Sequence, residues 1–191
     1  MDQAASSCSS LAANWVRLLF AMLLALMATG CDARLPQDEM VGVGITGIDH
    51  LPDHLSIQDF WVNGYNAAQA GKGGSTVCCA MLPARWRPGL TVQVRWGITN
   101  WRDKTYSMHE ATVPVEHYDE VGRLWVHFLK DGSVRVVSSN LAAWKQHADY
   151  PGPHDPIPQK EPWKMYPRSE GEPLFREVED ASKEADDGRS R

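Results

Sequence analysis

No stretch of this 191-residue chain is apolar for long enough to cross a bilayer as a helix. The longest such run, LLFAMLLALMAT at residues 18–29, is a dozen residues, against the ~20 that a span requires. Positive charge is not in excess: 19 Lys and Arg against 24 Asp and Glu leave a net charge of −5. That balance gives no basic footprint for nucleic acid and no attraction to anionic lipid headgroups. Cysteine is scarce, with four in all. Catalytic signatures are missing too: there is no G-x-S-x-G, no H-E-x-x-H and no Cys–His pairing with a recognisable local context. The glycine-rich stretch NGYNAAQAGKGGS at 63–75 fits G-x-x-x-x-G-K-[ST] in no register and reads as a hairpin loop. Neither an enzyme nor a cofactor is expected, and no catalytic residue is assigned.

What is present begins with an export signal. The apolar run has the length of a signal-peptide h-region and closes on Ala28-Thr29-Gly30-Cys31. Small residues ahead of a Cys resemble a lipobox, in which the thiol of Cys31 takes a diacylglyceryl group and becomes the first residue of the mature chain. Several acyl chains at ~0.8 kcal/mol per buried methylene make a durable anchor. Asp32 follows at the position that resembles an inner-membrane retention signal, so the expected location is the periplasm, lipid-anchored, with the inner membrane favoured over the outer. The expected organisation is a signal peptide at 1–30, a tether at 31–40, one β domain at 41–168 and an acidic tail at 169–191. That tail has eight acidic and four basic residues, which predicts a disordered or loosely docked segment.

Within the domain the apolar pattern has period two. TVQVRWGITN at 91–100 alternates Val92, Val94, Trp96 and Ile98 with polar neighbours, the mark of a half-buried strand. Residues 124–129 and 133–137 flank Lys130-Asp131-Gly132, and Asp-Gly supplies the positive φ of a tight hairpin. Further strands are expected at 41–48, 57–63, 76–82 and 110–116. About seven strands at this spacing predict a mainly β fold, a single antiparallel sandwich or partly open barrel. One short helix is expected at 140–147, ahead of Pro151. Residues 150–167 carry six prolines and are expected to run extended over the surface.

With Cys8 in the signal and Cys31 lipidated, only Cys78 and Cys79 remain, and they are adjacent. A regular strand would send them to opposite faces as two buried thiols, the favoured reading. A vicinal disulfide needs a departure from regular strand, because trans neighbours sit 3.8 Å apart, below the usual bridged range of about 4.4–6.8 Å. An intermolecular bridge or a shared metal is also open, although adjacent thiols lack the looped spacing of a zinc site. Asp49-His50-Leu51-Pro52-Asp53-His54 offers two His and two Asp, but Pro52 prevents the helix that would align the His pair. It reads as a polar turn, and no metal site is assigned. Trp, Tyr and Arg are the residues most enriched at interface hot spots. Arg85, Trp86 and Arg87, with Trp101, Arg102 and Tyr106, are therefore the candidate partner-binding residues; the alternative for each Trp is a lid folded back on the core.

The run Val62-Asn63-Gly64-Tyr65, Cys78-Cys79, Leu82 through Gly89 (LPARWRPG), Val94-Arg95-Trp96 and Asp149-Tyr150-Pro151 resembles an uncharacterised family of bacterial lipoproteins with a domain of unknown function. Members of that family are often encoded beside type VI secretion components and lipase effectors. The resemblance implies an immunity protein that binds and inhibits a phospholipase effector, with a structural or adaptor lipoprotein of the envelope as the alternative. It carries no catalytic residue over.

Overall fold

A computed structural model describes residues 39–73, 75–143, 147–172 and 175–178. The chain divides into two units, 1–37 and 38–191. All described residues lie in the second, so the signal peptide, Cys31 and Asp32 lie outside them.

The second unit is mainly β. Its strands are β1 (Met40–Asp49), β2 (Leu55–Val62), β3 (Tyr65–Asn66), β4 (Val77–Pro83), β5 (Thr91–Asn100), β6 (Thr105–Pro114), β7 (Arg123–Phe128), β8 (Val134–Ser139) and β9 (Arg176–Glu177). They form two mixed sheets, ordered β4-β1-β7-β8 and β3-β2-β5-β6-β9. A bridge between Val115 and Val136 joins the sheets along one side, giving a partly open barrel. Seven of the strands fall where the period-two pattern puts them, and β5 coincides to the residue. Two pairings are parallel, β1 with β7 and β6 with β9. At the β7–β8 hairpin Gly132 takes φ +85° and Leu129 N–H donates to the Ser133 carbonyl, as the Asp-Gly turn requires.

Around β7, β8 and the end of β1 the first sheet is buried on both faces. Inward, Ile45, Leu124, Val126 and Phe128 meet Phe60, Val94 and Trp96 of the second sheet. Outward, Ile48, Trp125 and Val137 pack under Ala143 and Tyr150. Double burial explains why β7 reads as a near-continuous apolar run. The glycine-rich loop between β3 and β4 lies across β1, where a Cβ on Gly47 would sit 2.6 Å from that of Ala70. Only glycine admits this approach, and Gly71 N–H to Gly47 O (3.1 Å) with Asp49 N–H to Gly71 O (2.9 Å) hold the loop there.

Two expectations are corrected here, and a third is not tested. The Pro-rich segment is not extended throughout: after crossing the outer face of the first sheet it forms a one-turn helix, α1 (Pro162–Met165). The helix expected at 140–147 falls partly on 144–146, outside the described residues. Cys78 and Cys79 are not a pair of buried thiols but are bonded to each other, across a cis peptide with Cα atoms 3.1 Å apart. Since β4 is an edge strand of its sheet, one side is left open, and Cys78 is exposed and Cys79 half-buried.

Candidate functional site

Strand β1 ends by placing two polar residues inside the protein. Asp49 is only 2% exposed and ties the following turn together, accepting from Leu51 N–H (3.0 Å) and Ile57 N–H (3.3 Å). Its remaining partner comes from the far end of the chain: Lys160 Nζ lies 2.5 Å from Asp49 Oδ2 and also donates to Leu55 O at 2.8 Å. Burial raises the Asp49 carboxyl above its usual range, against the pull of Lys160 and the two backbone donors. Burial likewise lowers the Lys160 amine, against the attraction of Asp49. Such a pair fixes geometry more than it stabilises, because its desolvation offsets its attraction. Here it ties the Pro-rich segment to the end of the barrel.

The neighbouring residue begins a second polar array. His50, directly after β1, and His127, on the outer face of the adjacent parallel strand β7, have rings stacked 5.2 Å apart. The contacts are Pro156 O to His50 Nδ1 at 3.3 Å, His50 Nε2 to His127 Nδ1 at 2.9 Å, and His127 Nε2 to the Tyr150 hydroxyl at 2.6 Å. A carbonyl can only accept, so His50 carries a proton on Nδ1, which leaves Nε2 to accept. His127 therefore donates from Nδ1 and accepts from the tyrosine hydroxyl at Nε2. The array runs in one direction, with every buried donor and acceptor matched. Burial first, then the charges of His50, Arg135 and His154, depress His127 to about 3. Burial also pushes the Tyr150 hydroxyl well above its usual range.

Between these arrays and the rim lies a cleft of about 350 Å³, beside Asp49, Lys160 and Ser56 and walled by Trp101, Trp163 and Pro158. Ser56, 5% exposed, receives hydrogen bonds from Trp101 Nε1 (2.8 Å) and Gln58 Nε2 (2.7 Å). Trp101 is braced from behind by the edge of the Phe175 ring, 5.2 Å away. Trp163 on α1 is 64% exposed. Among the described residues no group of three or more His, Cys, Asp or Glu is arranged to hold a metal ion.

The candidates read from the sequence separate into two regions. Trp86 precedes β5 and Trp101 follows it, so about 30 Å of strand lies between them at ~3.3 Å per residue. Trp86 is half-buried, packs on the core, donates from Nε1 to Val115 O at 2.9 Å and meets the His117 ring edge-on. It is a lid, flanked by exposed Arg85 and Arg87. Arg102 is exposed over the Tyr166 ring, 5.6 Å from its centroid, while Tyr106 lies half-buried across Gly97 of β5. Trp101 alone of the six lines the cleft. Asp49 closes β1 and His50 opens the turn after it, both of them buried, and sequence reasoning assigned no site role to His127, Tyr150 or Lys160. Their sequence separations, 77 for the His pair and 105 for Lys160 to Leu55, leave no local signal.

A family model described as "Protein of unknown function (DUF3304)" matches residues 52–136. That stretch contains Ser56, Trp101 and His127, and leaves Asp49, His50, Tyr150 and Lys160 outside. No curated protein and no solved structure matches the chain.

Proposed function

We propose that this chain is a lipid-anchored periplasmic binding protein, an immunity protein that docks on and inhibits a type VI secretion phospholipase effector. The observation that carries the reading is a surface on β1 and the edge strand β4. Met40 and Met81 are exposed there, with Gly42 between them leaving backbone as the floor, and Cys79 is on the same face. The Arg85–Arg87 loop leaves directly from the end of β4, where Ala84 N–H is bonded to Glu39 O. Met and Arg are enriched at interfaces, and an unpaired strand edge is a ready site for another chain. Met40 stands nine positions after Cys31, so an anchored chain presents this surface next to its tether, where a lipase meets its substrate. Guanidinium groups beside exposed methionines suit a partner with an acidic rim around an apolar centre.

The test is co-expression in the periplasm with a phospholipase effector encoded beside this chain. The wild-type chain restores growth and copurifies with the enzyme, and Cys31→Ser abolishes lipid labelling. Replacing Met81 by Asp together with Arg85 and Arg87 by Glu weakens binding by about a hundredfold, with the melting temperature unchanged. Unaltered affinity in that variant, or no protection by the wild type, overturns the reading.

A second reading, an adaptor that holds a component of the envelope, draws on a different feature. The cleft opens at the Asp49 end of β1, away from the Met40 end.

A further inference from the structure

We propose that the cleft beside the Asp49–Lys160 pair is a saccharide-binding site, taking a short glycan of about one or two rings with its flat face against the indoles of Trp101 and Trp163. This goes beyond the effector-docking reading and does not depend on it.

The unmatched donors come first. Ser56 is buried, and Trp101 Nε1–H and Gln58 Nε2–H both donate onto its oxygen, using both lone pairs. Its own proton is left over and is free to turn into the cleft. Turning the Gln58 amide over lets it accept that proton instead, but then its NH₂ is the donor left facing the cleft. Lys160 spends two protons on Asp49 and Leu55 O and retains a third. Two donors of different kinds thus await acceptor oxygens at one site. An occupant that displaces water from these donors must bring oxygens of its own, or it loses the hydrogen bonds that the water made.

Charge and shape narrow the class. Lys160 is held 2.5 Å from Asp49, so its charge is cancelled locally; the other cation of the lining, Lys72, is exposed at the rim and donates to Gln159 Oε1, where water screens it, so a carboxylate or phosphate gains little that a hydroxyl does not. A hydrocarbon chain would leave Ser56 and Lys160 unmatched. The walls are flat and rigid: Trp101 is locked by Ser56 and Phe175, and Pro158 and Pro162 present ring faces. Trp163, 64% exposed at the lip, offers a flat apolar face for a ring to lie against. Gln58 and Gln69 add side-chain amides, which donate and accept at once as neighbouring hydroxyls do. A neutral, oxygen-rich ring with one apolar face meets all of these conditions. The volume, about 350 Å³, lies at the lower end of the ~300–1,000 Å³ of small-molecule clefts.

The experiment follows the indole Nε1–H resonances of Trp101 and Trp163 in the full-length chain in detergent. It is titrated to about 10 mM with N,N′-diacetylchitobiose or cellobiose, and separately with decanoate and glutarate. The expected result is a saturable shift of both indole signals with at least one saccharide and none with the two carboxylates. In Trp163→Ala the Trp101 signal still reports, and affinity falls about tenfold or more while the melting temperature holds. No shift with either saccharide, a shift with the carboxylates instead, or undiminished affinity in Trp163→Ala overturns the proposal. Response to the N-acetylated sugar alone assigns an amino-sugar polymer as the source, and response to both assigns glycans generally.

Discussion

Replacing His127 by glutamine isolates one group's contribution to acid stability. His127 is fully buried, and glutamine can copy both its hydrogen bonds, donating to His50 Nε2 and accepting from the Tyr150 hydroxyl, without titrating. In the folded chain burial and the charges of His50, Arg135 and His154 hold His127 near 3, whereas in the unfolded chain it returns to about 6.5. The folded pKa is depressed, so the unfolded state binds more protons between these values and stability rises with pH across that window. The contribution is fully present above about 6.5 and is lost as pH falls toward 3. A difference of ~3.5 units at 1.36 kcal/mol each sets a total of about 5 kcal/mol, of which about 2 kcal/mol is gone by pH 5. Asp49 works in the opposite sense, its raised pKa making stability fall as pH climbs past the usual carboxylate range, but it is common to both proteins and cancels in their difference. Urea unfolding at pH 7, 5 and 4 measures the result. The wild type should lose about 2 kcal/mol more than His127→Gln between pH 7 and pH 5, with equal m-values. Parallel losses in the two proteins would refute the one-directional array and the neutral, buried imidazole on which it rests.

Lys160→Met should destabilise the fold by about 3–5 kcal/mol, because Asp49 stays buried with only two backbone donors; thermal melts of the single and the Asp49→Asn/Lys160→Met double variant should show partial recovery in the double. Trp86→Ala should cost about 3 kcal/mol in urea unfolding, through the lost core contacts and the carbonyl of Val115 left without its donor, and a full-stability variant would return Trp86 to the partner surface.

The strands were legible because period two is a local signal: Val92, Val94 and Trp96 each meet the core whatever the rest of the chain does. The Asp-Gly turn was legible for the same reason. The parallel pairing of β1 with β7 was not, because it joins residues about 80 positions apart, with no short turn to announce it. The cysteines were misread because the apolar run Ala80-Met81-Leu82 suggested a strand covered on both sides; in fact β4 is an edge, and Met81 faces out beside the bridged pair. The candidate site was hidden by the Pro-rich segment. Six prolines predict an extended path but not its destination, and Lys160, which enters the protein, looks in sequence like any surface lysine. Trp101 was flagged for its residue type, yet its role depends on Ser56 and Phe175, each distant along the chain.

One strand connects the two surfaces, and its length separates their functions. β1 begins at Met40, beside the Arg85 loop, and ends at Asp49, beneath the cleft, so ten residues of extended chain carry the two about 30 Å apart. Substitutions more than about 7–10 Å apart with no shared partner act additively, so changes at Met81 and at Trp163 should be independent. In an anchored chain the Met40 end is the one that follows Cys31 directly, nine positions along the sequence. An inhibitor of a membrane-active lipase needs only the first end. A protein that also grips a glycan is held at both, by acyl chains at one end and by a saccharide polymer at the other. The durable anchor then raises the effective concentration for the weaker glycan contact, as linked binding modules do. The immunity and adaptor readings therefore part on Trp163: a pure immunity protein protects equally well without that indole. If protection falls in Trp163→Ala while effector affinity in solution is unchanged, glycan attachment is what positions the inhibitor.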